Sequence, residues 1–195
     1  MRLVLATRNP GKVAELRARL AGLDAEPISA AEVEGAPEVE EDQDTLRGNA
    51  EKKARALYAY TGHAALADDT GLEVDALDGA PGVHSARYAG PEADDVANRA
   101  KLLDALDGAG TRAARFRTVL AFVDDTGVRF FDGVCEGTIT EGERGEGGFG
   151  YDRVFAPDEG DGRTFAEMTR EEKNRISHRG RAVDAFVAFL QERLG

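Results

Sequence analysis

The chain has 195 residues, a net charge of −12 and one cysteine, a length that suits a single domain spanning 1–195 with room for two lobes and a full core. The acidic balance argues against general nucleic-acid binding, which draws its affinity from Lys and Arg neutralising phosphates. With no apolar run of about eighteen residues, no signal pattern ahead of the first strand and only Cys135 to oxidise, the expectation is a cytoplasmic chain with no membrane partner.

The apolar run Leu3-Val4-Leu5-Ala6 reads as a strand, and Val13, Leu16 and Leu20 set the period of a helix. Between them lies Thr7-Arg8-Asn9-Pro10-Gly11-Lys12. A strand, a tight turn and a helix start make an anion site, because free N–H groups at the helix start and the helix dipole both favour negative charge. Lys12 adds a full positive charge, so a phosphate is the expected ligand. An ordinary strand-to-helix turn with a solvated lysine has the same pattern. It is not a Walker A loop: Val13 follows Gly11-Lys12 where Ser or Thr is required, so a metal would have to be held by carboxylates elsewhere.

An acidic, Pro-containing stretch follows, Glu32 to Asp44, which reads as a loop with room for a short strand and carries Glu40-Glu41. Thr45 can cap a helix running to about Tyr60, with Leu46, Ala50, Ala54 and Leu57 on one face and Asn49 and Lys53 one turn apart beside it. Gly62 ends it. Ala64 to Ala67 reads as a short buried strand, placing Asp68-Asp69-Thr70-Gly71 at its carboxyl end, where open α/β sheets bind ligands. Adjacent residues of an extended chain point to opposite sides, so the two aspartates need not share a ligand. Magnesium needs only one or two carboxylates plus substrate phosphates, and Glu40 and Asp69 would satisfy it. A solvated acidic face at Glu40-Glu41 and a plain turn at Asp-Asp-Thr-Gly are the competing readings.

Leu72 to Leu77 continues as strand, Gly79 to Gly90 is turn-rich, and a helix is expected from about Glu92 to Leu106. Ala114 to Val123 and Val128 to Thr140 form a hairpin around Asp124-Asp125-Thr126-Gly127. The Gly-rich segment ending in Phe149-Gly150-Tyr151-Asp152 offers aromatic faces beside backbone that a planar base can approach. After a short strand and an acidic turn at Asp158 to Gly162, Thr169 and Glu172 form a capping box. Lys173, Ser177, His178 and Arg179 then place four candidate donors within seven residues, a set that accepts a carbonyl-bearing base and rejects an amino group. His178 also reads as an ordinary helix-terminus histidine. A last helix buries Val183, Phe186, Val187 and Leu190. Alternating helices and strands followed by a long hairpin predict an α/β fold with a mixed sheet.

Of 25 basic residues only five are lysine: Lys12, Lys52, Lys53, Lys101 and Lys173. Where arginine has taken most cationic positions, a retained lysine marks a place for a compact ammonium. Lys12, Lys53 and Lys173 fall in segments singled out on other grounds; Lys52 and Lys101 do not.

Six segments, in order and spanning nearly the whole chain, resemble the inosine triphosphate pyrophosphatases, the non-canonical purine nucleoside triphosphate pyrophosphatases. They are Thr7 to Lys12, Asn49-Ala50 with Lys53, Ala67 to Leu72, Ala80-Pro81-Gly82 with Ser85 to Tyr88, Gly147 to Asp152, and Thr169 to Lys173 with Ser177 to Gly180. The resemblance implies a mixed, elongated central sheet flanked by helices, with two lobes around a nucleotide-binding cleft. It implies a magnesium-dependent homodimer that hydrolyses ITP, dITP and XTP to the monophosphate and pyrophosphate. Asp69 would be proton acceptor and metal ligand, with Glu40 the second metal carboxylate. Thr7, Arg8, Asn9, Pro10, Gly11 and Lys12 would cradle phosphates, with Lys53 offsetting charge. Thr70, Phe149, Gly150, Tyr151, Asp152, Lys173, His178 and Arg179 would contact the nucleoside. The chain departs from the family's usual pattern at Gly48, where Glu is common, at Arg153, where Pro is common, and at His84, where Tyr is common.

Overall fold

The computed structural model describes residues 1–92 and 94–194. The fold is mixed α/β. Strand β1 (Arg2–Leu5) leads into helix α1 (Pro10–Arg19) and strand β2 (Glu26–Ser29). Helix α2 (Leu46–Thr61) precedes the long strand β3 (Ala64–Val74), the short β4 (Pro81–Gly82) and helix α3 (Asp95–Ala105). The hairpin strands β5 (Ala113–Asp124) and β6 (Gly127–Ile139) follow, then β7 (Phe155–Pro157) and helices α4 (Arg170–Ile176) and α5 (His178–Leu194).

The sheet runs β2-β1-β3-β5-β6-β7, with β4 also on β3. β1 pairs in parallel with both β2 and β3, whereas β3–β4 and β6–β7 are antiparallel. The mixture follows from the connections. Helices α1 and α2 carry the chain back so that the next strand runs parallel, while the Asp125-Thr126 turn reverses it directly.

The chain divides into two compact units. The first comprises Met1–Asp69, Val119–Asp132 and Ala182–Gly195; the second comprises Thr70–Thr118 and Gly133–Arg181. The first unit's main core gathers Leu3, Leu5, Leu16, Leu66, Phe122 and Phe186. A smaller cluster, Val4, Ala30, Leu57 and Ala65, includes the alternate residues of β1 and β3. The second unit packs Leu72, Val74, Leu102, Phe116, Phe155 and Phe165 into a core of its own. Among the described residues, no helix is long and apolar enough to cross a membrane.

Three expectations change. Strand β2 was not anticipated: it is four residues long, sits at the sheet's edge and contains Pro27, so it carries no alternating pattern. The expected helix over 92–106 appears as Asp95–Ala105, and residue 93 of that stretch, like residue 195 of the 1–195 span, lies outside the described residues. Asp68-Asp69-Thr70-Gly71 does not end a strand, because β3 is continuous through it to Val74. It is β1 that ends there. Leu5 pairs with Leu66, and Ala6 N–H donates to the Leu66 carbonyl at 2.8 Å, so Asp68 and Asp69 lie just past the carboxyl end of β1.

Candidate functional site

In the first unit, the turn after β1 is built by its own side chains. Asn9 is the N-cap of α1, its Oδ1 accepting from Gly11 N at 2.9 Å and Lys12 N at 3.4 Å. Val13 N donates to the Asn9 carbonyl, and Pro10 has no N–H to offer. The free backbone donors expected at this helix start are therefore already capped. Asx capping at the residue before Pro is a stronger local signal than the Gly-Lys pair, and it leaves anion recognition here to side chains. Thr7 Oγ1 accepts from Asn9 N at 3.2 Å, and the Thr7 carbonyl accepts from Ser29 Oγ, which fixes the turn against the end of β2.

An open pocket of about 470 Å³ is lined by Thr7, Arg8, Lys12, Glu41, Lys53 and Asp68, with apolar residues beneath. Lys12 Nζ lies 2.5 Å from Asp68 Oδ2. Lys53, on α2, donates to the Asp68 carbonyl at 2.7 Å, pairs with the Glu41 carboxylate and stands 3.6 Å from Asp69 Oδ1. Burial opposes the charge on Lys53, but Asp69, Glu41 and Asp68 more than offset it and hold its pKa above the ordinary lysine value. Asp68 and Asp69 meet different partners, as alternation along β3 requires: Asp68 faces Lys12, and Asp69 faces Asn49. Arg8 is more exposed and lies 3.6 Å from Glu38.

Asn49 is 1 % exposed and links two parts of this site. Its Nδ2 donates to Asp69 Oδ2 at 3.2 Å, while its Oδ1 accepts from Gln43 N at 3.0 Å. The acidic loop is further held by Lys52, whose Nζ donates to the Glu40 carbonyl at 3.0 Å and to Asp42 Oδ1 at 2.7 Å. Glu40 is exposed, and the structure places Glu41 rather than Glu40 in the pocket lining. At Gly48, in the first turn of α2, an added Cβ would stand 2.9 Å from Gln43 Cβ, so a larger residue there requires the loop to shift. Glu51, a candidate to replace a missing carboxylate at 48, is taken by Arg55 at 2.6 Å along the helix surface.

Asn49, Glu41 and Asp68 lie in segments that the sequence singles out, but no individual role for them, or for Lys52, is read from it. A polar residue recurring on the stripe next to the apolar face of α2 is the signal that points to Asn49 and Lys53; nothing in the sequence separates Glu41 from Glu40. Among the described residues, no group of three or more His, Cys, Asp or Glu side chains is arranged to hold a metal unaided. The donors present, Glu41, Asp68 and Asp69, are all carboxylates. Such hard oxygen ligands fit a divalent cation that takes one or two protein carboxylates and draws its remaining ligands from phosphate and water.

In the second unit, the Gly-rich turn after β6 folds around Asp152. Asp152 Oδ2 accepts from Phe149 N at 2.9 Å and from Lys173 Nζ at 2.6 Å. Gly148 has φ +73°, and a Cβ there would fall 2.1 Å from the Asp152 carboxylate, so the turn closes only with glycine. Phe149 is 74 % exposed, and Lys173 Nζ stands 4.9 Å from its ring centroid and 5.1 Å from that of Phe165. Tyr151 points the other way: it is buried and donates to the Ser85 carbonyl at 2.8 Å, leaving backbone alone for a ligand.

His178 begins α5, buried, and stacks on Phe116 with centroids 4.6 Å apart and the ring planes 17° from parallel. Arg179 is the next residue, half-buried. Ser177 is buried, its Oγ accepting from Gly180 N at 3.1 Å, and a Cβ on Gly180 would strike the Asn174 carbonyl at 2.2 Å. The close packing of α5 against the end of α4 thus depends on Gly180. Thr70 Oγ1 and Thr118 Oγ1 share a hydrogen bond of 2.7 Å. The second unit therefore brings Phe149, Asp152, Lys173 and, through Phe165, His178 into one neighbourhood. Phe116 and Phe165, which support it, carry no distinguishing mark in the sequence.

A model of the Ham1 family matches residues 3–189. The dITP/XTP pyrophosphatase of Desulforamulus reducens is 53% identical over 97% of this chain and 96% of its own. That of Porphyromonas gingivalis is 50% identical, covering 97% of each. Among solved structures, a HAM1 protein from Coxiella burnetii superposes with a TM-score of 0.94 at 41% identity, over 98% of this chain and 99% of that one. The match spans both units and every segment that builds the two sites, and the chain belongs to the Ham1 family.

Proposed function

We infer that this chain hydrolyses non-canonical purine nucleoside triphosphates, ITP, dITP and XTP, to the monophosphate and pyrophosphate, clearing deaminated purines from the nucleotide pool. Its relatives' shared name supports the substrate class. The observation that carries the reading is the meeting of Lys12 and Lys53 with Asp68, Glu41 and Asp69 at one pocket. Two ammonium groups against three carboxylates repel a bare triphosphate less than the chain's net charge suggests, and they accept one that arrives with a divalent cation.

Lys12 and Lys53 take phosphate oxygens as point charges, with Thr7 and Arg8 beside them. Asp69 accepts the proton of the water that attacks the α-phosphate. Asn49 holds Asp69 Oδ2 and so turns the carboxylate for that task. Asp69 and a carboxylate of the Glu40-Glu41 pair would hold magnesium, which would supply neutralisation of the phosphate charge. Glu40→Gln and Glu41→Gln, compared for magnesium dependence, separate the resemblance's choice of Glu40 from the pocket-lining Glu41.

Phe149 stacks on the base, and Lys173, His178 and Arg179 present donors to its 6-oxo group. Adenine offers an amino group there, so donors would face donors, at a cost of roughly 1–3 kcal/mol for each group left unsatisfied. The same reading places the enzyme in the cytoplasm as a homodimer without a nucleic-acid partner. The lone buried Cys135 and the net charge of −12 support its compartment and its lack of nucleic acid. The test is pyrophosphate release from ITP, XTP, GTP and ATP with and without magnesium. Equal rates on ITP and ATP, or no release from ITP, would refute it.

A further inference from the structure

The turn that carries Phe149 and Asp152 is gripped by side chains of α3 to which no role has been assigned. Gly150 has φ +57°. Its N–H donates to Asp95 Oδ2 at 2.7 Å, and its carbonyl accepts from Arg99 at 2.8 Å. Asp95 and Arg99 are one helical turn apart, so both lie on the same face of α3. Together they hold both polar groups of one peptide-bonded residue. Arg99 is only 4 % exposed, an unusual burial for arginine, and its Nε is committed to Glu143 at 2.8 Å. Glu143 in turn lies 3.6 Å from Arg153, the residue that follows Asp152.

We propose that Asp95 and Arg99 are positioning residues for base recognition: by clamping Gly150 they hold the turn in the form that presents Phe149 and the Asp152–Lys173 pair. A mostly exposed phenylalanine on a glycine turn has little packing of its own to fix its ring, and a left-handed glycine costs backbone entropy to hold. Two hydrogen bonds at the residue next to Phe149 provide that order before the ligand arrives, which lowers the cost of binding. They touch neither the phosphates nor the reacting atoms, so their loss weakens capture of the base and leaves the chemical step alone.

This inference rests on the base-stacking role of Phe149, and the experiment separates the two. Asp95 is exposed, so its variants are not expected to unfold the chain, whereas Arg99→Ala removes a buried side chain. In the full chain, Asp95→Ala should raise the KM for ITP about five- to tenfold, the worth of one hydrogen bond, with kcat within about twofold. Asp95→Asn keeps an acceptor oxygen and should restore most of the KM. Because the chain has no tryptophan, Phe149→Trp gives a sole reporter of the turn. Its fluorescence anisotropy should fall when Asp95→Ala or Arg99→Ala is added. If Phe149→Ala raises the KM but Asp95→Ala moves neither KM nor anisotropy, the clamp is wrong and base stacking stands. If Phe149→Ala leaves the KM unchanged, base stacking fails and takes the clamp's purpose with it. A fall in kcat equal to the rise in KM, or failure of Asp95→Asn to rescue, also overturns the proposal.

Discussion

Each unit builds its site around a lysine–aspartate pair of nearly the same length, 2.5 Å for Lys12–Asp68 and 2.6 Å for Lys173–Asp152. Their surroundings differ. Lys12 lines an open pocket beside Lys53, which itself meets the Glu41 and Asp69 carboxylates. Lys173 lies against two aromatic rings, and Asp152, nearly buried, also accepts the Phe149 N–H. That pair is a fixed strut. The contrast teaches that an ion pair's role is set by what else its members touch. A polar, crowded pair can trade partners with an incoming anion; a pair tied to rings and backbone holds a shape.

The largest expected effect breaks the first unit alone. Asp69→Asn keeps the size of the side chain and its contact with Asn49 but removes the proton acceptor. Turnover of ITP should fall by on the order of a hundredfold or more while nucleotide binding persists. Near-normal turnover would take Asp69 out of the mechanism. In the second unit the equivalent break should alter choice rather than rate. Arg179→Ala should lower the preference for ITP over ATP roughly ten- to hundredfold, since a hydrogen bond to a charged group is worth about 1.5–3 kcal/mol and only the 6-oxo substrate uses it. XTP should decline with ITP. An equal decline for ATP would mean that Arg179 serves the phosphates or the fold.

A charge-conserving exchange sharpens the comparison further. Lys12→Arg and Lys53→Arg should each reduce kcat/KM by about tenfold, because a planar fork cannot occupy the position of a point charge. Lys53 has the less room: it is 14 % exposed at the side chain and already contacts the Glu41 carboxylate and the Asp68 carbonyl. Full activity in both variants would show that the scarcity of lysine carries no information about the site.

That scarcity is also a measure of what the sequence made legible. Lys12 and Lys53 line one pocket and Lys173 pairs with Asp152, while Lys52, outside the segments singled out, secures the acidic loop. The α2 helix and the β5–β6 hairpin were legible because their periods are long and their ends carry Thr45, Gly62 and the Asp125-Thr126 turn. Strand β2 was not, because four residues at an edge leave no pattern. Nor was the continuation of β3 through Asp68-Asp69: local turn propensity pointed to a stop, and pairing within the sheet overrode it. Phe116 and Phe165 were hidden for a different reason. Their roles arise from contacts between segments far apart in the chain, which local spacing does not encode.

The smallest expected effect contrasts the two units by pH. Lys53, with its pKa raised, contributes stability that is present below the unfolded lysine value and lost as pH climbs through the folded one, so the first unit's set is exposed to alkali. Glu172, which closes the capping box of α4 in the second unit, behaves oppositely. Its carboxylate accepts from Arg163 at 2.9 Å and from Thr169 N at 2.7 Å, and those bonds, the arginine's first, pull its pKa from the ordinary 4.5 to about 2. A depressed carboxylate contributes stability above its unfolded value and loses it as pH falls through the folded one. The parent should therefore melt higher than Glu172→Gln above pH 4.5, and the gap should close towards about pH 2. The gap should be small and should shrink with added salt, since the pair is at the surface. Thermal unfolding of parent and variant across that range, at low and high salt, is the measurement. A gap that stays constant with pH would mean that Glu172 acts through shape and hydrogen bonding alone, and that its charge adds nothing to α4, the short helix that carries Lys173.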